Sequence, residues 1–219
     1  MKNLKQYWAF WTPYTIFVIA LGGLILWNEK ADLHLWLNSI HTPFWDVFFR
    51  YYTLVGEWVP FVVVAGLLCY RYRAALLVLS AQVISGLVTQ VFKRTFDAPR
   101  PKRFFAEHFP EIDLPQVLGV HMHSSHSFPS GHTTSVFAFF LSLAFLTKRK
   151  ELHLLYLLLA SLVAYSRIYL SQHFASDVLA GSFVGVVMTI VTLYIVDRKQ
   201  PAWYDKSLKP LPTSPKGRS

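Results

Sequence analysis

Long stretches without charge are the feature that most constrains this chain. A transmembrane helix needs about 20 apolar residues to cross roughly 30 Å of hydrocarbon, and about 17 are enough where aromatic residues flank it. Six segments of the 219-residue chain meet or approach this requirement, with at most one Asp, Glu, Lys, Arg or His each. They are 11–27, 51–70, 74–92, 131–147, 152–166 and 178–196. The pattern predicts an all-α membrane protein, a bundle of six transmembrane helices.

The composition agrees with lipid as the main solvent. Apolar residues make up 53% of the chain and charged residues 15%, and the mean hydropathy is +0.36. A soluble domain has about 45–50% apolar and about 25% charged residues, so this composition argues against a soluble domain and against disorder. We predict one membrane domain over residues 1–200 and a polar, disordered cytoplasmic tail over 201–219. The single cysteine excludes an intramolecular disulfide.

The segment between the first two predicted spans has the spacing of amphipathic helices. Apolar residues recur at helical intervals before Thr42 and Pro43, and an aromatic cluster follows them. The residues concerned are Leu33, Trp36, Leu37 and Ile40, then Phe44, Trp45, Phe48 and Phe49. We predict short helices in the outer membrane interface, with ordinary packing on the rim of the bundle as an equal alternative.

The distribution of Lys and Arg predicts the orientation. Six spans place both termini on one side, and with that side in the cytoplasm thirteen Lys and Arg lie inside and eight outside. The tight turns 70–73 and 148–151 concentrate positive charge, which resists translocation. We therefore predict cytoplasmic termini and an outward-facing loop over 93–130. The five basic residues of this loop are exceptions to the rule that Lys and Arg are enriched in cytoplasmic loops, so we expect them to have a function.

Three clusters of polar residues map to the same outer rim, because the third and fourth spans and the fifth and sixth spans connect there. Basic residues in these clusters would surround an anion such as phosphate, and Pro-Ser-Gly-His at the start of a helix offers free backbone N–H groups to it. The clusters are Lys93 with Arg100-Pro101, then Pro129-Ser130-Gly131-His132, then Ser166-Arg167 with His173 and Asp177. The positive charge thus points to a phosphorylated lipid and not to a nucleic acid.

Two histidines in these clusters are candidates for catalysis. His173 and Asp177 are four residues apart and share a face if helical, so the carboxylate can orient the ring for nucleophilic attack. His132 is then available as general acid and base. A magnesium ion is not excluded by these residues. The histidine run His121, His123 and His126 has no nearby carboxylate or cysteine, which disfavours a metal site there.

The three clusters together resemble the signature of the type 2 phosphatidic acid phosphatases, the superfamily that includes vanadium-dependent haloperoxidases. Every signature position of Lys93-x6-Arg100-Pro101, Pro129-Ser130-Gly131-His132 and Ser166-Arg167-x5-His173-x3-Asp177 matches. The resemblance covers roughly residues 50–196 and implies a metal-independent phosphatase without a cofactor. It implies His173 as the nucleophile that forms a phosphohistidine, Asp177 as its orienting partner and His132 as the acid. It also implies phosphate binding by Lys93, Arg100, Ser130, Gly131 and Arg167.

Several alternatives about function stay open at this level. The chain is expected to be a lipid phosphatase of the bacterial inner membrane with its site facing the periplasm. A lipid phosphotransferase would use the same residues, and a pure binding protein would not need the two histidines. Undecaprenyl diphosphate and lipid A phosphate are the leading substrates, followed by phosphatidylglycerol phosphate and phosphatidic acid. The oligomeric state cannot be predicted from the sequence.

Overall fold

The structure is a computed structural model that describes residues 4–198 and 201–208. This part of the chain is all-helical and has no strand, which confirms the predicted fold class. The α-helices are α1 (Trp8–Trp27), α2 (Lys30–Leu37), α3 (Pro43–Tyr52), α4 (Val59–Leu68), α5 (Tyr72–Phe96), α6 (Pro101–His108), α7 (Gly131–Leu146), α8 (Lys150–Tyr169) and α9 (Ala175–Arg198). Short 3-10 helices cover Leu4–Tyr7, Thr53–Gly56 and Ala202–Asp205.

Four regions of the described chain are long and apolar enough to cross a membrane. They contain α1, α5, α8 and α9, and a fifth span results if the bent helix pair that ends with α4 is counted as one. The sixth candidate, α7, has 16 residues and is about 24 Å long, shorter than the hydrocarbon core. Membrane-spanning helices are thus confirmed, while the count of six stays a prediction.

Helix α7 is the centre of the bundle. Eleven of its sixteen residues are buried, and it packs against α5, α8 and α9. Its neighbour α5 is tied to it by a polar pair, because Gln82 donates to the carbonyl oxygen of Ser135 at 3.0 Å and accepts from the Ser135 hydroxyl at 2.8 Å. Such paired polar groups fix two helices in register where no water competes. A helix surrounded by protein need not match the full lipid thickness.

Two glycines allow α9 to approach α7 closely. A Cβ atom at Gly181 would lie 2.6 Å from the carbonyl oxygen of Ser130, and one at Gly185 would lie 2.5 Å from that of Thr134. The two glycines are four residues apart and therefore share one face of α9. Small residues at this spacing are typical of closely packed membrane helices. The contact holds the start of α7 against the start of α9.

The second predicted span, 51–70, is not one continuous helix. The 3-10 helix Thr53–Gly56 ends before Glu57, and α4 then starts at Val59 with Pro60 in its first turn. The axes before and after the break differ by 44°. Proline lacks the N–H that a continuous helix would need, so a new helix starts there. The break places Glu57 at a bend and not along a lipid-facing helix.

The amphipathic segment folds as two helices, α2 and α3, as its spacing predicts. Helix α2 ends at Leu37, so Ile40 lies beyond it. The hydroxyl of Thr42 accepts from the backbone N–H of Trp45 at 3.2 Å and caps α3, and Pro43 fills the first helical position. The position of these helices at an outer membrane interface stays a prediction.

The start of the predicted disordered tail is folded. Residues 201–208 contain the 3-10 helix Ala202–Asp205, in which Tyr204 is buried. The backbone N–H of Tyr72 donates to the carbonyl oxygen of Lys206, and the backbone N–H of Leu208 donates to the carbonyl oxygen of Leu68. This segment therefore covers the turn between α4 and α5. We expected this segment to be disordered, but it is ordered because the apolar surface of Tyr204 is buried. Residues 209–219 lie outside the described residues.

Candidate active site

His173 lies in the turn between α8 and α9. Its backbone N–H donates to the carbonyl oxygen of Arg167 at 3.1 Å, and its side chain is only 1% exposed. Burial lowers the pKa of His173 to about 3, although the nearby Asp177 carboxylate opposes this shift. The ring is therefore neutral at physiological pH and has a free lone pair, as a nucleophile requires.

Asp177 and Ser127 hold one side of this ring. Nδ1 of His173 lies 3.6 Å from Oδ2 of Asp177, which is longer than a hydrogen bond. The hydroxyl of Ser127 donates to this same Oδ2 at 2.5 Å and lies 3.3 Å from Nδ1 of His173. Asp177 also accepts from the backbone N–H of Phe174 at 2.9 Å. The carboxylate is thus fixed by two donors, and Nδ1 faces a hydroxyl and a carboxylate.

The Pro129–His132 segment is fixed against the same aspartate. The backbone N–H of Ser130 donates to the carbonyl oxygen of Asp177 at 2.9 Å. Ser130 is fully buried, its hydroxyl accepts from that of Thr133 at 2.9 Å, and no side chain caps the N-terminus of α7. The first N–H groups of a helix have no partner inside it and attract anions. A Cβ at Gly131 would lie 3.9 Å from Cε of Lys93, so this helix start adjoins the lysine.

Three cations converge on the site from three elements. Arg167 of α8 donates from Nη1 to the hydroxyl of Thr53 at 2.6 Å. Arg100 donates from Nη1 to the side-chain oxygen of Gln172 at 3.0 Å and from Nε to the carbonyl oxygen of Ser125 at 2.9 Å. Lys93 donates from Nζ to the carbonyl oxygen of His126 at 2.6 Å. Protein groups thus hold all three side chains in place.

Arg167 retains a donor for a ligand. The side chain is 6% exposed, and its Nε is buried without a hydrogen-bond partner among the described residues. A buried polar atom of this kind needs a partner, which water or a ligand supplies. No carboxylate of the described chain forms an ion pair with Arg167, Arg100 or Lys93. The positive charge is therefore available to an anion.

His132 lies in the first turn of α7, within electrostatic reach of Arg167, Arg100, Lys93 and His173. Its Nε2 is 3.8 Å from Oε2 of Glu57, at the bend before α4. The sequence favours a Glu57 side chain that extends to the outer interface over one buried near the pocket. In the structure Glu57 is exposed, at the bend that precedes Pro60, and its carboxylate lies beside His132.

The histidines of the run contact other groups in the structure. Among residues 4–198 and 201–208, no group of three or more His, Cys, Asp or Glu side chains is arranged to hold a metal ion. His126 pairs with Asp97, with 3.0 Å between Nδ1 and Oδ1. The rings of His121 and His123 meet edge to face at 4.9 Å between centroids. The pKa of His123 is lowered by partial burial and by nearby cations, including Arg100.

All eight predicted site residues therefore surround one location, and the structure adds four neighbours. Ser127 contacts His173, Gln172 contacts Arg100 and Thr53 contacts Arg167. The fourth neighbour, Glu57, lies beside His132. Ser127 lies only two residues before Pro129, and Gln172 lies inside the Arg167–His173 interval, but neither had a chemical signal of its own in the sequence. Thr53 is remote in sequence from its partner.

Comparisons with known proteins show which family the chain belongs to. The model of the PAP2 superfamily matches residues 74–201, more than half of the chain. The chain belongs to the PAP2 superfamily. It is 29% identical over 169 residues to the lipid A 4'-phosphatase of Porphyromonas gingivalis, which covers 73% of this chain and 69% of the relative. Membership confirms the resemblance that the three motifs indicate.

Two solved PAP2 structures share the fold. LpxE of Aquifex aeolicus superposes with a TM-score of 0.66 at 25% identity, over 75% of this chain and 94% of that one. A second neighbour is the first transmembrane PAP2 type phosphatidylglycerolphosphate phosphatase of Bacillus subtilis. It superposes with a TM-score of 0.62 at 25% identity, over 87% of this chain and 98% of that one. This PAP2 protein is a membrane-bound bacterial lipid phosphatase, a hydrolase of phosphate esters.

Proposed function

We propose that this PAP2 enzyme hydrolyses a lipid phosphate through a covalent phosphohistidine on His173. The arrangement of His173, Ser127 and Asp177 is the observation that carries the proposal. The Ser127 hydroxyl donates to the Asp177 carboxylate and can therefore only accept from Nδ1, so Nδ1 bears the proton and Nε2 keeps a lone pair. In the first step, Nε2 attacks phosphorus and the bond from phosphorus to the lipid oxygen breaks.

The phosphate oxygens are bound by the cations and the start of α7. Arg167, with its unpartnered Nε, faces the anion together with Arg100 and Lys93. The backbone N–H of Gly131 belongs to the helix N-terminus, which is favourable for negative charge. The backbone N–H of Ser130 is used by Asp177, but its hydroxyl, which accepts from Thr133, keeps a hydrogen to donate to the phosphate. Phosphoryl transfer depends mostly on positioning and on neutralising the equatorial oxygens, and these groups supply both.

His132 acts on the leaving oxygen and then on water. In its protonated form it donates a proton to the lipid oxygen as that oxygen leaves. It then takes a proton from a water molecule, which attacks the phosphohistidine and releases inorganic phosphate and free His173. Glu57, 3.8 Å away, favours the protonated form of His132 among three neighbouring cations. The cycle needs no metal ion, because protein groups provide every positive charge.

The substrate we propose is a lipid A phosphate. The Porphyromonas gingivalis relative supports this choice, and so does the likeness to LpxE. The Bacillus subtilis structure favours a second candidate, a phosphatidylglycerol phosphate. Undecaprenyl diphosphate and phosphatidic acid have the same reacting group. A phosphotransferase would share the first half of the cycle and use an alcohol in place of water.

The proposed topology follows the positive charge of the turns. We propose an enzyme of the bacterial inner membrane with cytoplasmic termini and its site at the periplasmic leaflet. The PAP2 site and the turn 148–151 lie at opposite ends of α7 and α8, which agrees with this orientation. Cysteine accessibility at position 118 and at position 149 in intact cells tests it.

Phosphate release by the purified enzyme in detergent tests the activity. Four lipids are compared in the presence of EDTA: lipid A, phosphatidylglycerol phosphate, phosphatidic acid and undecaprenyl diphosphate. We expect the wild-type enzyme to release phosphate from lipid A and the folded His173→Ala variant to release none. Activity that EDTA abolishes and magnesium restores would contradict the metal-free cycle. A near-normal rate in His173→Ala would contradict the nucleophile, and transfer to an added alcohol without free phosphate would favour the transferase.

A further inference from the structure

A second basic cavity lies at the other end of the bundle. It is lined by the C-terminal end of α7, whereas the catalytic residues surround the N-terminal end of the same helix, about 24 Å away. Its volume is about 350 Å³. The polar residues that line it are Gln6, Tyr7, Thr147, Lys148, Lys150 and His153, and the apolar ones are Phe145 and Leu146. None of these residues belongs to the PAP2 signature.

His153 is the buried polar group of this cavity. It is 2% exposed, and its Nε2 lies 3.2 Å from the carbonyl oxygen of Thr147. A carbonyl oxygen only accepts hydrogen bonds, so Nε2 carries the proton and Nδ1 of the neutral ring is an acceptor. Nδ1 is buried and has no hydrogen-bond partner among the described residues. His153, which lines the cavity, therefore contains an acceptor that needs a donor.

The charge around this acceptor is positive. Lys148 and Lys150 line the cavity, and none of its lining residues is an aspartate or glutamate. Helix α8 starts at Lys150, and no side chain caps its N-terminus. The cavity thus combines two cations and a helix N-terminus, which suit an anion, with a separate acceptor for a hydroxyl group.

The surroundings are typical of a lipid headgroup region. Nζ of Lys150 lies 5.6 Å from the ring centroid of Trp8, and Trp8 is itself exposed. Exposed tryptophan beside lysine at the end of a membrane helix marks the level of the headgroups. Basic pockets between membrane helices at this depth bind phosphate-bearing headgroups.

We propose that this cavity binds the headgroup of an anionic phospholipid that carries a free hydroxyl, such as phosphatidylglycerol. The phosphate diester is bound by Lys148, Lys150 and the start of α8. A headgroup hydroxyl donates its hydrogen to Nδ1 of His153. The lipid is a bound structural ligand at this site and is not a substrate, because no nucleophile of the PAP2 site lies near.

Lipid retention by variants tests the charge of the site. The protein is released from phosphatidylcholine nanodiscs that contain phosphatidylglycerol, and its lipid adducts are counted by native mass spectrometry. We expect Lys148→Gln with Lys150→Gln to weaken phosphatidylglycerol binding roughly 10-fold or more. The control is Arg149→Gln, which removes one positive charge from the same turn, against two in the double variant, at a residue that does not line the cavity. None of these substitutions changes a residue of the catalytic site.

Equal loss in Arg149→Gln and in the double variant would overturn the proposal, since it would show general attraction to the membrane surface. Unchanged retention in the double variant would overturn it as well. Millimolar inorganic phosphate as competitor distinguishes the two sources of the phosphate group. Displacement of the adduct would identify a free phosphate site and so contradict a lipid ligand, whereas no displacement supports the lipid.

The hydroxyl contact has its own test. Phosphatidylmethanol has the same charge as phosphatidylglycerol but no headgroup hydroxyl. We expect the wild-type protein to retain phosphatidylglycerol several-fold better, and His153→Leu to lose this preference while it still binds both lipids. Thermal unfolding in lipid-free detergent shows whether His153→Leu is folded, and His153→Gln is the alternative variant if it is not. An unchanged preference in a folded variant would contradict the role of His153.

Discussion

The hydroxyl of Ser127 lies between Asp177 and His173, 2.5 Å from Oδ2 of the carboxylate and 3.3 Å from Nδ1 of the ring. The direct distance between ring and carboxylate is 3.6 Å. Ser127 is fully buried, and its backbone N–H donates to the carbonyl oxygen of Ala98, just before Arg100. One residue thereby links the segments that carry all three motifs.

Removal of this hydroxyl should slow the reaction without preventing substrate binding. We expect Ser127→Ala to lower kcat about 10- to 100-fold, the effect of losing one hydrogen bond to a charged group of about 1.5–3 kcal/mol. KM should change little, because Ser127 does not line the cation cluster. Ser127→Thr keeps the hydroxyl and should retain more activity than Ser127→Ala. Phosphate release across a range of substrate concentrations measures both constants.

Ser124→Ala is the matched control for Ser127. Ser124 is exposed and contributes only its backbone carbonyl oxygen to Arg100, so the variant should match the wild type. An unchanged kcat in folded Ser127→Ala would show that Asp177 alone orients His173. A decrease in kcat together with an equally large increase in KM would instead indicate a structural role for Ser127.

Much of the site could be predicted from the sequence because its residues occur at fixed spacings next to uncharged segments. Lys93, Arg100, Arg167 and His173 carry charges or rings whose chemistry is evident without coordinates. Topology then predicts that they share one end of the bundle, since consecutive spans return to the same side. The structure brings these residues together as expected.

The neighbours of these residues could not be predicted in the same way. Ser127 and Thr53 are common polar residues whose roles depend on what packs against them. The position of Glu57 depends on the bend before Pro60, and a hydropathy pattern does not reveal a bend inside an apolar segment. The order of residues 201–208 depends on the burial of Tyr204 against distant helices. Tertiary contacts decide each of these features.

Glu57 should affect the step in which the lipid oxygen leaves. We expect Glu57→Gln to lower kcat/KM for a lipid phosphate about twofold to fivefold, in line with a partly exposed ion pair worth up to ~1 kcal/mol. An aryl phosphate has a better leaving group and needs less help from an acid, so its hydrolysis should change less. The two substrates are compared by phosphate release at the same pH.

The control for Glu57 is Glu111→Gln, which removes an exposed carboxylate from the loop after α6. It should leave both substrates unaffected. Equal losses for lipid and aryl phosphate in Glu57→Gln would argue against assistance to the acid His132. They would instead indicate that Glu57 affects phosphate binding.

The close contact of α9 with α7 should tolerate no side chain at Gly185. A Cβ there would lie 2.5 Å from the carbonyl oxygen of Thr134 and 3.0 Å from the backbone nitrogen of Ala138. Both are backbone atoms, so the helices must separate. We expect Gly185→Ala to destabilise the protein by about 1–3 kcal/mol, as overpacking does, and to lower its Tm in detergent.

Gly86→Ala on α5 is the control for Gly185, because a Cβ there meets no atom within 4 Å. Alanine favours a helix over glycine, so this variant should keep or raise the Tm. A Tm of Gly185→Ala equal to that of the wild type would contradict the observed helix contact. Reduced activity in Gly185→Ala should accompany the loss of stability, because the contact also positions Ser130 near Asp177.

The buried neutral ring of His173 should make stability depend on pH. Burial lowers its pKa to about 3, whereas an unfolded histidine has a pKa of about 6.5. Because the folded value is the lower one, the unfolded chain binds this proton first as the pH falls. The contribution to the free energy of unfolding is complete above pH ~6.5 and is lost progressively as the pH falls from about 6.5 towards 3.

His173→Asn has no such proton to bind, so its Tm should fall less than that of the wild type between pH 6.5 and 4. Thermal unfolding in the same detergent at each pH measures the difference. Parallel Tm curves would mean that the folded ring binds a proton as readily as the unfolded one, which would contradict the lowered pKa of His173.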